Sequence, residues 1–259
     1  MEHWIAGDGT VGKAFAVLDR VAAFGRPVRF GELLDGSPFP KATLYRLIQN
    51  LVSIGALSYD DERQTYGVGL RLVGLAHSAW KQSSLAPIAR PAVDALSALS
   101  GETVHLAQLD GGQVLYVDKR NASQPIEMFS QAGKVGPAYC TGVGKAMLAF
   151  LDEGRLEGAL RKQAFFRYTP NTLTSVNALR AELKVIRSEG VSYDREEHEP
   201  GIICIAAPIL SRQKRPLGAL SVTTSLQRHI LEDLEAYRQP LLSAAANIAE
   251  AAEAWQFPA

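Results

Sequence analysis

The sequence predicts an α+β protein: an N-terminal winged helix-turn-helix joined by a linker helix to a larger α/β domain with a mainly antiparallel sheet. Three observations predict it. Apolar residues recur at helical spacing in short segments up to about residue 55, an alternating pattern follows at 57–68, and beyond residue 87 helical runs mix with β-rich ones. A chain of 259 residues suits two modest domains. The pattern changes across 76–86, so the expected organisation is a first domain over 1–75, a linker over 76–86 and a second domain over 87–259.

Val11, Ala14, Phe15, Val17, Leu18 and Val21 mark a first helix, ended by Gly25 and Pro27. Phe30, Leu33 and Leu34 make a very short second one, broken by Asp35-Gly36-Ser37-Pro38. Pro40 suits the first position of a third helix, because proline has no N–H to leave unpaired. Leu44, Leu47, Ile48 and Leu51 form its apolar stripe and Gly55 closes it. Leu57-Ser58-Tyr59 and Thr65-Tyr66-Gly67-Val68 then alternate around a polar turn, as a small hairpin does. In the second half, 87–99 reads as a helix stopped by Gly101, and 103–109 with 114–120 as strands around Asp110-Gly111-Gly112. Residues 141–151 and 175–189 read as helices, 202–210 and 217–223 as strands, and 230–255 as an alanine-rich helix kinked or split by Pro240.

Composition excludes several classes. No apolar run approaches the roughly 18 residues a membrane-spanning helix needs. Residues 1–8 lack the basic and apolar stretches of a signal peptide, and two cysteines make no disulfide framework, so a cytoplasmic location is expected. The chain carries 27 Lys+Arg against 27 Asp+Glu, which argues against holding nucleic acid through bulk charge.

The third helix nevertheless has the two faces of a DNA reader. Tyr45, Arg46 and Gln49 lie opposite its apolar stripe, with Lys41 and Thr43 in the first turn. Arg46 suits a guanine edge, Gln49 an adenine edge, and Thr43 and Tyr45 reach phosphates, while Arg63 and Gln64 of the hairpin turn suit backbone contact. Any one of these residues reads equally well as a solvated helix face. It is the plan of helices plus hairpin that points to double-stranded DNA. Residues 1–83 hold nine Lys+Arg and eight Asp+Glu, a net of only +1. One such domain binds weakly, so an obligate homo-oligomer is expected, which doubles the contacts.

Several motifs point elsewhere and fail. Gly142-Val143-Gly144-Lys145 resembles part of a phosphate-binding loop, but that pattern needs Gly at 139 and Ser or Thr at 146, where the chain has Tyr139 and Ala146. Lys145 then reads as an ion-pair or surface residue. No ligand spacing supports a metal around Cys140, Cys204, His198 and Asp194, and no cofactor is expected. A second reading, from a different class, is a small-molecule hydrolase or stand-alone sensor with Cys140 as nucleophile.

Phe39-Pro40-Lys41-Ala42-Thr43-Leu44-Tyr45-Arg46-Leu47 resembles the recognition helix of the IclR family of bacterial transcriptional regulators. Gly101-Glu102-Thr103-Val104-His105-Leu106, Cys140-Thr141-Gly142-Val143-Gly144-Lys145-Ala146, Arg167-Tyr168-Thr169-Pro170-Asn171-Thr172, Glu196-Glu197-His198-Glu199-Pro200-Gly201 and Cys204-Ile205-Ala206-Ala207-Pro208 resemble its effector domain, in the family's order. The resemblance implies a homodimer or dimer of dimers on promoter DNA, a repressor rather than an enzyme, and no membrane. It also implies a GAF-like effector domain for a small metabolite, commonly a carboxylate from a catabolic pathway. The chain departs from the family at Arg29, where Ser or Thr is usual, at Pro38 for Gly, at Tyr139, and at Gly142 for Ala.

Pocket walls implied by the resemblance are Met128, Tyr139, Asp194, Ile202, Cys204, Ser221 and Thr223. Physical reading adds Cys140, Thr141 and Gly142: a helix start offers free N–H groups to an anion, Thr141 a hydroxyl, and Gly142 a close backbone approach. Ser221 and Thr223 alternate with Val222 and so face one way. Two hydroxyls on an apolar strand fit a ligand site and equally a satisfied core. Asp194 beside an anion is a puzzle: it bonds a ligand hydroxyl, is protonated, or pairs with Arg195 or His198. Residues 195–199 are expected to form a solvated loop at the site edge.

Overall fold

The structure is a computed structural model and describes residues 9–83, 85–124 and 128–254. Residues 1–8, Ser84 and Trp255, on which the leader, linker and last-helix expectations partly rest, lie outside the described residues. The chain divides into two compact units, Met1–Gln82 and Ser83–Ala259.

In the first unit, helix α1 spans Gly9–Ala23, strand β1 Val28–Arg29, α2 Phe30–Leu34, α3 Lys41–Ser53, β2 Leu57–Asp60, β3 Thr65–Val68 and α4 Leu70–Ser83. Val17, Leu18 and Val21 of α1 pack with Leu44, Leu47, Ile48 and Leu51 of α3 over Leu57 and Tyr66. That is the stripe the helical spacing marks out. The strands pair antiparallel in the order β1-β3-β2. Pro40 sits one position earlier than expected. It is the N-cap, with ψ of 145°, and its carbonyl accepts the first helical bond from Leu44. At Arg29, which has no hydroxyl to cap α2, the cap is reversed: the Glu32 carboxylate accepts from the Arg29 N–H at 2.9 Å and holds Arg26 at 2.6 Å.

The second unit begins with α5, Ala86–Ser100, and the hairpin β4, Thr103–Asp110, to β5, Gln113–Arg120. Gly111 and Gly112 both have positive φ, 55° and 92°, which a two-residue hairpin turn requires. Then follow β6 at Val135–Gly136, α6 at Gly142–Leu148, α7 at Glu153–Leu160, α8 at Val176–Glu189, β7 at Ser192–Arg195, β8 at Ile202–Leu210 and β9 at Pro216–Ser225. A 3-10 turn, Leu231–Tyr237, leads into α9, Arg238–Ala254, so the alanine-rich segment is split, with Pro240 in the first turn of α9.

The six strands pair antiparallel throughout in the order β6-β5-β4-β9-β8-β7. One core lies between this sheet and α5 with α9, a second between its other face and α6, α7 and α8. Being covered on both faces, β8 and β9 are buried along nearly their whole length, β8 with apolar side chains and β9 with Ser221, Thr223, Thr224 and Ser225 among them. Three of these elements are additions to the sequence-based plan: β6, α7 and β7.

Candidate functional site

Two regions have functional geometry. On α3, Lys41, Tyr45, Arg46 and Gln49 are exposed and Thr43 is half-buried, while the leucines behind them are buried. The Tyr45 ring meets Phe30 edge-on at 5.9 Å. Among the described residues no carboxylate pairs with Lys41, Arg46 or Arg63. Arg63 stands in the β2–β3 turn, which Asp60 fixes by accepting from the Glu62 and Arg63 N–H groups at 3.0 Å each. Asp60 is therefore spent on the turn.

The second region is a small cavity of about 30 Å³ in the second unit. Sheet register builds one wall. Asp194 of β7 pairs with Cys204 of β8, and Cys204 with Thr223 of β9, while Ser221 pairs with His105 of β4. Met128, Thr141, Gly142, Asp194, Ile202, Cys204, Ser221 and Thr223 all line the cavity. Tyr139 and Cys140 do not, which corrects that expectation. The Tyr139 hydroxyl donates to the Phe166 carbonyl at 2.6 Å and its ring lies on Phe165, and both residues sit in the core beneath α6.

Sequence reasoning missed His105, Tyr116, Ser130, Val143, His198 and Glu199 as lining residues. Two of these residues organise the wall. His105 Nε2 lies 2.7 Å from the Ser130 hydroxyl, and Nδ1 lies 3.2 Å from Thr223 and 3.3 Å from Ser221. Burial, aided by Lys119, pushes the His105 pKa down to about 3, so the ring is neutral and offers one donor and one acceptor. Both Glu199 oxygens accept from the Phe129 N–H, at 3.0 and 3.1 Å. His198 lies between the Phe129 and Tyr168 rings, with centroids at 5.2 and 4.7 Å.

Asp194 accepts from the Glu197 N–H at 2.7 Å. Burial and the neighbouring Glu197 charge raise its pKa to about 7. Glu197 is itself buried and hydrogen-bonded to the fully buried Lys145, which also lies 3.5 Å from Glu182. Thr169 and Thr172 donate to the carbonyls of Glu196 and Glu197, both at 2.6 Å. The solvated loop expected at 195–199 is thus corrected to a clamped segment, because the lysine that anchors it is inside the protein.

Two other expectations change. A side chain at Gly142 would place its Cβ 2.4 Å from Cys204 Sγ, so the packing against that thiol by itself requires glycine there. The Thr141 hydroxyl donates to the Pro137 carbonyl at 2.8 Å and is spent there. Cys140 is buried, and desolvation with the Asp194 and Glu197 charges drives its thiol well above the ordinary range. A thiol so disfavoured as thiolate is no nucleophile. Among the described residues no group of three His, Cys, Asp or Glu could hold a metal ion, and no helix is long and apolar enough to cross a membrane.

Comparison with known proteins matches residues 77–250 to the family described as bacterial transcriptional regulator IclR C-terminal, and residues 10–61 to the IclR helix-turn-helix domain. The regulator KdgR of Escherichia coli (strain K12) is 31% identical over 236 residues, 91% of this chain and 89% of that one. The transcriptional repressor IclR of the same organism is 28% identical, over 83% of this chain and 80% of its own length. The Thermotoga maritima IclR structure superposes with a TM-score of 0.76 at 29% identity, covering 93% and 97% of the two chains. An IclR homolog from Microbacterium hydrocarbonoxydans, complexed with 4-hydroxybenzoate, has the same fold, with a TM-score of 0.81 at 22% identity over 95% and 100%.

Proposed function

The chain belongs to the IclR family of bacterial transcriptional regulators, and from that premise we propose that it is a cytoplasmic repressor which leaves promoter DNA when a small organic acid enters its cavity. The observation that carries this reading is the outer face of α3, where Arg46 and Gln49 stand exposed one turn apart with an apolar stripe locked behind them. In this reading Arg46 takes a guanine edge and Gln49 an adenine edge, Thr43 and Tyr45 reach phosphates, and Lys41 and Arg63 hold the backbone. The net charge of only +1 over residues 1–83 supports action as a homodimer or dimer of dimers on paired half-sites. Val11 and Phe15 of α1 and Leu70 and Val73 of α4, which are 60–85% exposed, support self-association.

For the metabolite, the cavity supplies neutral donors. No lysine or arginine is among the residues that line it. A carboxylate is received by Ser130, Ser221, Thr223 and neutral His105, and Asp194, with its pKa raised to about 7, is protonated in about half the molecules at neutrality and in that form can donate a hydrogen bond. The domain boundaries at 75 and 87 are retained as part of the proposal.

The test is a gel shift of the full chain on its own upstream intergenic DNA, with and without a series of small organic acids. Arg46→Ala abolishes the specific shift and leaves acid-induced thermal stabilisation intact. A wild-type chain that shifts no duplex at low salt refutes the reading.

A further inference from the structure

The second unit carries another concavity, which shares no lining residue with the polar cavity. It is an open cleft of about 800 Å³ between the segment after α6, the start of α7, the end of α8 and the β8–β9 turn. Arg155, Arg187, Lys214 and Arg215 line it against a single carboxylate, Asp152. A neighbouring groove, sharing Leu151, Arg155 and Pro216 with it, adds Lys162. The whole chain is electrically balanced, so five cations around one acid is a strong local departure. Asp152 is already engaged: one oxygen caps α7 by accepting from the Arg155 N–H at 2.9 Å, and the other lies 3.5 Å from the Arg155 side chain.

The remaining cations are left uncancelled. Arg187 donates to the Ala149 and Leu151 carbonyls at 2.6 and 3.1 Å, so its guanidinium is held in place without a carboxylate. Lys214 and Arg215 sit on a turn pinned by three bonds to Ser211, at 2.8, 2.9 and 3.2 Å. Among the described residues no carboxylate pairs with either of them, whereas Arg212 beside them is taken by Glu253. Phe150, Leu151 and Pro216 give the cleft an apolar floor.

We propose that this cleft is a second ligand site, for a small metabolite bearing a phosphate or diphosphate group. Arginine forks match phosphate oxygens two at a time, and lysine supplies a point charge beside them. The apolar floor receives the organic body, and the volume falls in the range of small-molecule pockets. The site goes beyond the carboxylate reading of the small cavity and does not depend on it.

Isothermal titration of the full chain with inorganic pyrophosphate, and then with nucleoside and sugar phosphates, tests it. The expected result is saturable binding that the double substitution Lys214→Ser, Arg215→Ser weakens about tenfold or more. Both residues are on an exposed turn, so the variant keeps the wild-type melting temperature, operator affinity and response to organic acids. Pyrophosphate that fails to bind, or binds both proteins alike, overturns the proposal. So does a non-operator duplex that outcompetes pyrophosphate and loses affinity in the same variant, which assigns the cleft to nucleic-acid backbone instead.

Discussion

Lys145 has no exposed side chain, and Glu197, which receives its ammonium, has one oxygen with no protein partner among the described residues. Burying two charges in this way is costly, and removing only Glu197 is costlier still, because Lys145 keeps its desolvation penalty and is left with only the more distant Glu182, at 3.5 Å. Glu197→Ala is therefore expected to lower unfolding free energy by about 3–5 kcal/mol in urea titrations. The paired change Lys145→Met, Glu197→Leu costs far less, and a loss below about 1 kcal/mol for the single variant defeats the assignment. The sequence reading allowed an ion pair for Lys145 but gave neither its partner nor its burial. The two residues are 52 positions apart, and a run of charged residues at 195–199 has the composition of a solvated loop. Ser221 and Thr223 were legible as neighbours from their alternation, whereas Cys204 and Asp194 were placed beside them only by the family resemblance, because β7 left no readable pattern and strand register is not written in composition. Tyr139 and Cys140 were misread because a residue just before a helix faces either the ligand or the core, and composition does not distinguish the two.

At the scale of elements, α6 packs onto β8 so closely that its first residue has no room for a methyl group. Gly142→Ala sets a carbon against Cys204 Sγ and is expected to cost about 1–3 kcal/mol, measured by chemical denaturation. Adding Cys204→Ala removes the obstructing atom and recovers most of the loss. If the two changes merely add, the close approach is not what selects glycine there. The helices and strands that sequence patterning revealed are those with a long periodic stripe or a strong stop, such as α3 with its four buried apolar residues or α8 with Ser175 and Gly190 at its ends. The elements it missed are short or weakly patterned. Helix α7 has two glycines in eight residues, β6 has two residues, and β7 spends two of its four positions on Asp194 and Arg195.

For the whole molecule, the sequence pattern changes between 76 and 86, and the chain divides into two compact units between Gln82 and Ser83. The proposed dimer makes Leu70 and Val73 of α4 contact residues of the partner copy. Leu70→Glu with Val73→Glu is expected to give monomers in sedimentation and to weaken operator binding about 100-fold or more, since two tethered readers gain that much over one. Unchanged mass and affinity place the contact elsewhere. The small cavity proposed to take the metabolite also bears on timing. At about 30 Å³ it holds roughly one water, so it must swell before anything larger can lodge. Uptake then proceeds no faster than the chamber breathes, and the observed rate levels off as metabolite concentration rises. In the proposed regulator, a pulse of metabolite briefer than that breathing time passes without altering DNA occupancy, so the cavity is expected to filter out short signals as well as detect long ones.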